Sequence, residues 1–158
     1  MQTNIKRRTF LKGSAASGIM GAAITAGLAT PQALLAEWNE AAFKEKDLNA
    51  AIKAMIGSES SEESDKIHIK APDIAENGGV VPVSITSDIE GTTDILILAP
   101  NNPVPMVAAF TLGEGAQAFA RTNIKMGKTG DVVAVIKAGD KAYTAKKAVK
   151  VTIGGCGG

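Results

Sequence analysis

From Lys66 onward, apolar and polar residues alternate with a period of two. "KIHIK" places Ile67 and Ile69 on one face. "VVPVSIT" places Val81, Val83 and Ile85 on one face, with Ser84 and Thr86 opposite. "TTDILILA" breaks the rule, being apolar on both faces from Ile95 to Ala99, as a central strand would be. "VPMVAAFT", "QAFARTNIK", "DVVAVIKA", "KAYTA" and "KAVKVTI" complete the series. In the last, Val149, Val151 and Ile153 alternate with Lys150 and Thr152. Between these runs stand "ENGG", "DIEG", "PNNP", "LGEG", "KTGD" and "AGDK", stretches rich in the residues that turns require. Seven or eight short strands at this spacing predict a mostly β fold, an antiparallel β-sandwich.

A different period precedes the strands. In "DLNAAIKAMIG", Leu48, Ala51, Ile52, Met55 and Ile56 recur at helical spacing and form one stripe. Asp47 suits the N-cap and Gly57 the position just past the C-terminus. The stripe is expected to pack on the domain, with docking of a partner as the minority reading. Trp38 and Phe43 are assigned to a looser helix before it. "SESSEESDK" follows as a polar, acidic linker. The expected organisation is a helical region and linker over 37–65, a sandwich over 66–153 and a short tail over 154–158.

The first 36 residues are set apart from the fold. "RRTFLK", with Arg7 and Arg8 adjacent, leads into a weakly apolar run and then "TPQALLA". A basic start, an apolar middle and a small-residue end make an export signal, and the paired arginines specify the twin-arginine type. The run contains Ser14, Ser17, Thr25 and four glycines, which makes it a poor membrane span and no stable anchor. Export by this route leads to the periplasm. It carries proteins already folded, usually with a cofactor or a partner; with one histidine in the chain, a partner is the better explanation.

Without that segment the balance is 13 Lys and Arg against 16 Asp and Glu, so nucleic acid is not an expected partner. The charge is unevenly spread. Residues 121–158 carry eight basic residues against Asp131 and Asp140, while the rest of the mature part is acidic. The lysines suit two roles at once: guarding strand edges, and making a positive field around a thiol.

Candidate chemistry narrows to one place. His68 alternates with Ile67 and Ile69, which makes it solvent-facing or satisfied rather than a ligand. No phosphate-binding glycine motif, paired carboxylates or Ser-His-Asp arrangement is supported, and no cofactor site is expected. "VTIGGCGG" holds the only cysteine, Cys156, bracketed by Gly154, Gly155, Gly157 and Gly158. Glycine gives the widest backbone freedom and the least width. One cysteine cannot form an internal disulfide, so it must be free, bonded to another molecule, or chemically loaded. Such an arm describes a covalent carrier that enters narrow sites on other proteins, rather than an enzyme.

The closing "VTIGGCGG" resembles the SoxY family, the sulfur-carrying subunit of bacterial thiosulfate oxidation. "APDIAENGGVVPVSI", "NPVPMVAAFTL", "TNIKMGKTGDVVAVIK" and "VKVTIGGCGG" read as that family's segments in order. Lys125 stands where the family more often has arginine, so no anion contact is carried onto it. The resemblance implies an immunoglobulin-like sandwich and a heterodimer with a SoxZ-type subunit exported with this one. It implies that Cys156 is loaded with thiosulfate by a c-type cytochrome. A hydrolase then releases sulfate, and in some systems a sulfur dehydrogenase oxidises the remaining sulfur. A ubiquitin-like thiocarboxylate carrier also ends in Gly-Gly, but it needs neither export nor Cys156. A prenylated tail needs its cysteine fourth from the end, and an adhesion-type sandwich needs no thiol.

Overall fold

The computed structural model describes residues 39–58 and 60–152. The expected signal with Arg7 and Arg8, and the expected arm of Gly154, Gly155, Cys156, Gly157 and Gly158, lie outside the described residues, as do Trp38 and Ile153.

The helix comes first. α1 spans Leu48–Ile56, and it starts and stops where its end residues dictate. Asp47 is extended, and its carboxylate accepts the Ala50 N–H at 2.8 Å, satisfying one of the donors a helix start leaves over. Gly57 has φ 75°, the left-handed conformation that costs glycine nothing, and its N–H closes the last turn onto the Lys53 carbonyl at 2.8 Å. The looser helix expected around Phe43 is instead a single turn, in which Lys44 and Glu45 both donate to the Ala41 carbonyl. Asn39 shapes that turn: its side chain accepts from Ala42 and donates to the Ala54 carbonyl of α1.

Nine strands follow among the described residues: β1 Glu62–Glu63, β2 Ile67–Lys70, β3 Ile74–Ala75, β4 Val81–Ser87, β5 Thr92–Leu98, β6 Met106–Thr111, β7 Phe119–Ile124, β8 Gly130–Ala138 and β9 Lys141–Val151. They form a large sheet in the order β1-β9-β8-β5-β6, with β3 also on β9, and a small sheet in the order β2-β4-β7. The two sheets face each other as an immunoglobulin-like sandwich. Val81, Val83 and Ile85 of β4, with Ile67 and Ile124, meet Ile95, Ile97, Val132, Ala134, Ile136 and Val149 of the large sheet.

The large sheet is buried on its other side as well. Leu96, Leu98, Val135, Met106 and Ala142 pack against Ala51, Ile52 and Ile56 of α1. This explains the doubly apolar run of β5, because alternate residues enter two different cores. The helix stripe is therefore spent within the domain. Burying each of its two isoleucines stabilises the layer by about 1.5–3 kcal/mol. The docking reading of that stripe finds no free surface to act on.

Three features differ from the sequence reading. The segments "KAYTA" and "KAVKVTI" are one continuous strand, β9, of 11 residues. Pairing with β8 runs without interruption through Val133↔Lys146 and Val132↔Lys147, so the backbone continues between the two runs, with Lys146 exposed and Lys147 reaching Asp73. The acidic linker holds β1, which pairs parallel with Tyr143 and Thr144 of β9. Just before the "ENGG" turn, β3 pairs parallel with Lys150 and Val151. The sandwich is thus antiparallel except along one edge of β9, which two short parallel strands cover.

Candidate functional site

The expected site residue, Cys156, lies outside the described residues; what the structure gives is the ground from which its segment departs. β8 pairs with β9 up to Gly130↔Val149, so the last two residues of β9 overshoot their neighbour. An overshooting strand end leaves backbone groups unsatisfied and frays. Here both sides are held. Toward β3, Lys150 donates to the Asp73 carbonyl at 2.9 Å and Thr152 donates to the Ala75 carbonyl at 3.1 Å. Toward the β7–β8 loop, the Thr129 hydroxyl accepts the Val151 N–H at 2.9 Å and donates to the Val151 carbonyl at 3.2 Å. A single side chain thus replaces the missing strand. The backbone is fixed to Thr152, four residues before the thiol.

The supports of this end are themselves supported. Asn102 uses both ends of its amide on the β7–β8 loop, donating to the Lys125 carbonyl at 2.7 Å and accepting from Gly127 at 2.9 Å. Its neighbour Asn101 donates to the Thr129 carbonyl at 2.8 Å. The turn "PNNP" therefore braces the loop that braces β9. Below them Gly78 is buried, and its carbonyl accepts the Met126 N–H at 2.7 Å. A Cβ on Gly78 would stand 2.8 Å from Val151 Cγ1 and also strike the Met126 carbonyl oxygen, so only glycine lets these three segments meet. Sequence reading takes "PNNP", "ENGG" and "KTGD" as turns and no more. The one signal available is the Asn101–Asn102 pair, two residues able to cap backbone groups between two prolines that cannot donate.

The electrostatics at this end are mixed rather than uniformly positive. Lys125, Lys128 and Lys150 are exposed there. Lys147, counted among the basic residues of the tail region, pairs with Asp73 at 2.7 Å. That hydrogen bond, with the Lys147 charge, holds the Asp73 carboxyl below the usual carboxylate range.

His68 stays away from this end. It is exposed and meets Asp88 at 2.8 Å, near the Ile67↔Ser87 end of the small sheet rather than the Val81↔Ile124 end beside Gly78 and Met126. It is solvent-facing and satisfied, as the alternation predicts. No group of three or more His, Cys, Asp or Glu among the described residues could hold a metal ion. No helix there is long and apolar enough to cross a membrane. The arrangement is that of an anchor: it fixes the backbone at the end of β9 from both sides.

Comparison with known proteins adds to this geometry. The model of a family described as "Sulfur oxidation protein SoxY" matches residues 52–156. Among solved structures, the chain is similar to the sulfur carrier protein SoxY from Chlorobium limicola f thiosulfatophilum, at 45% identity and a TM-score of 0.61, covering 67% of this chain and 96% of that one. A superoxide reductase (neelaredoxin) from Ignicoccus hospitalis matches at 18% identity and a TM-score of 0.47, over 54% of this chain and 80% of its own. A likeness that distant carries no functional argument. No curated protein matches the chain.

Proposed function

The chain belongs to the SoxY family of sulfur oxidation proteins, and from that premise we propose that it is a periplasmic sulfur carrier whose attachment point is the Cys156 thiol. The observation that carries the reading is the doubly held end of β9. A strand pinned from both sides four residues before a glycine-bracketed thiol gives that thiol a fixed base. Four residues reach at most ~13–14 Å at ~3.3–3.6 Å each. That suffices to carry a thiol into a partner's channel without moving the sandwich.

The chemistry follows from the thiol. Loading joins the Cys156 thiolate to the outer sulfur of thiosulfate in a new S–S bond, and the two electrons released pass to a c-type cytochrome partner. A hydrolase then adds water at the terminal sulfonate, which leaves as sulfate with two protons, while the sulfane sulfur stays on Cys156 as a persulfide. Where a sulfur dehydrogenase is present it oxidises that sulfur. The carrier supplies no cofactor and no catalytic group, and thiolate is the form that reacts. A SoxZ-type subunit completes it as a heterodimer. Arg7 and Arg8 direct export by the twin-arginine route, the two subunits crossing together.

The test is Cys156→Ser in a reconstituted thiosulfate-dependent system. The variant keeps the fold and its partner, and turnover is abolished. The intact mass of the wild-type protein shows sulfane or thiosulfonate adducts that reductant removes. Normal turnover by the variant would refute the carrier role.

A further inference from the structure

We propose that the outer face of the small sheet is the surface on which enzymes acting on Cys156 dock, each seating an acidic segment over Lys70 and Arg121 and an apolar side chain against Phe119. The proposal rests on the carrier reading. β2, β4 and β7 send alternate side chains into the core, and the others form the outer face. Register sets these out in rows: His68, Thr86 and Phe119 in one, Lys70, Ser84 and Arg121 in the next. With Pro72 and Pro82 they line an open concavity of about 700 Å³. No described element covers it.

Its charge points to the occupant. Lys70 and Arg121 flank Ser84 across the three strands, and neither has an ion-pair partner among the described residues. Two acids near this face are already engaged, Asp88 by His68 at 2.8 Å and Asp73 by Lys147 at 2.7 Å. Two free cations thus share one face of a protein whose mature part is net acidic. Lys70 and Arg121 lie on the two edge strands, where charges also discourage unwanted pairing. Edge protection does not account for Phe119, which stands 47% exposed two residues from Arg121 on the same face. An aromatic ring beside an arginine in a concavity is the composition of an interface centre, and the guanidinium fork is matched by a carboxylate. A concavity of this size suits a protein segment better than a free sulfur oxyanion, which would fill a small part of it.

Position supplies the reason for docking here. The chain leaves β2 through Ala71 and Pro72, which line the concavity, and enters Asp73–Ala75, whose carbonyls hold Lys150 and Thr152. The His68, Thr86 and Phe119 row is the far part of this face, and the Ala71–Pro72 rim is the near part, one residue from the Asp73 carbonyl that holds Lys150, so a protein seated along the concavity reaches toward the point from which Cys156 departs. The same face serves successive enzymes, because each needs the thiol delivered from one side.

The test measures sulfate release by the hydrolase from the thiosulfonate-loaded full-length carrier in its complex. Lys70→Glu with Arg121→Glu is compared with Lys141→Glu with Lys146→Glu, an equal charge change on exposed lysines of β9. The groove variant raises KM for the carrier about tenfold at unchanged kcat, as loss of an interfacial charge pair does. The β9 variant shifts it less than about threefold, the share of long-range steering. Alkylation of Cys156 by iodoacetamide stays at the wild-type rate in both. Phe119→Ser, which keeps the charges, also raises KM and reads the same surface if the charge variant folds poorly. Equal KM in the two charge variants, or wild-type KM in both the groove variant and Phe119→Ser, overturns the docking site. A wild-type carrier that releases no sulfate instead overturns the carrier reading.

Discussion

Gly78 shows at the scale of one residue how the anchor is made. Its missing side chain is the space in which Val151 and the Met126 carbonyl sit. Gly78→Ala forces a methyl into that space, and the Met126 backbone cannot retreat without losing its own bond to the Gly78 carbonyl. The expected cost is about 1–3 kcal/mol, as overpacking costs elsewhere, measured as a lower urea midpoint. Hydrogen exchange at Val151 and Thr152 should quicken more than at Val135. Asp73 offers a second residue-scale test. Its carboxyl titrates below the ordinary value of 3.8 because Lys147 donates to it and is positive. A carboxylate with a lowered folded value contributes stability above its ordinary pKa and loses it as pH falls through the lowered one. The difference in stability between wild type and Lys147→Ala is therefore constant from neutral pH down to about pH 5, and it closes in stronger acid. Asp73 in the variant titrates nearer to 3.8 by NMR. A difference that persists unchanged in acid would assign the effect to the packing of the Lys147 stem instead.

At the scale of elements, α1 and β9 hold the large sheet from two directions. α1 is short, and isolated helices of its length are marginal in water, so its caps and its buried stripe must cooperate. Asp47→Ala removes the cap bond to Ala50 and should cost about 1 kcal/mol, with a lower denaturation midpoint and an unchanged dependence on denaturant. The loss should be felt first at Leu96, Leu98 and Val135, the floor on which the helix lies. β9 works differently, because it belongs to three pairings at once. β8 fixes it along most of its length, while β1 and β3 close the free edge that would otherwise invite pairing with another chain. A strand secured this way is held to its last residue, Val151.

At the scale of the whole molecule, the carrier reading assigns stability to the sandwich and delivery to the glycine-bracketed Cys156. Replacing Gly154, Gly155, Gly157 and Gly158 together by alanine should leave the melting temperature nearly unchanged, because these residues lie beyond the last strand. Each added methyl widens the segment and restricts its backbone. Loading and unloading of Cys156 by partner enzymes should therefore slow, while reaction with a small free alkylating reagent changes little. Partner-dependent rates equal to wild type would remove channel entry as the reason for the glycines. An equal fall in the small-reagent rate would mean that the thiol is held against the domain.

The sequence by itself determined what depends on neighbours along the chain. Short apolar runs between turn residues located β2 and β4 through β8 nearly to the residue, and Asp47 and Gly57 marked both ends of α1. The two-sided apolar run of β5 marked a central strand, and the structure shows its alternate residues entering two cores. The glycine-bracketed Cys156 is an expectation of the sequence that lies outside the described residues. Tertiary structure alone decided what depends on residues far apart. It joined 141–151 into one strand, because β8 pairs with it without interruption from Ala138↔Lys141 to Gly130↔Val149. It made strands of Glu62–Glu63 and Ile74–Ala75, too short to show a period and stable only because β9 offers an edge. It brought Asn101, Asn102, Thr129 and Gly78 to the end of β9, and it aligned Lys70, Ser84 and Arg121 in one row. Alternation says which side of a strand faces inward; only pairing and register say what stands beside it, and the anchor and the docking face are both made of such neighbours.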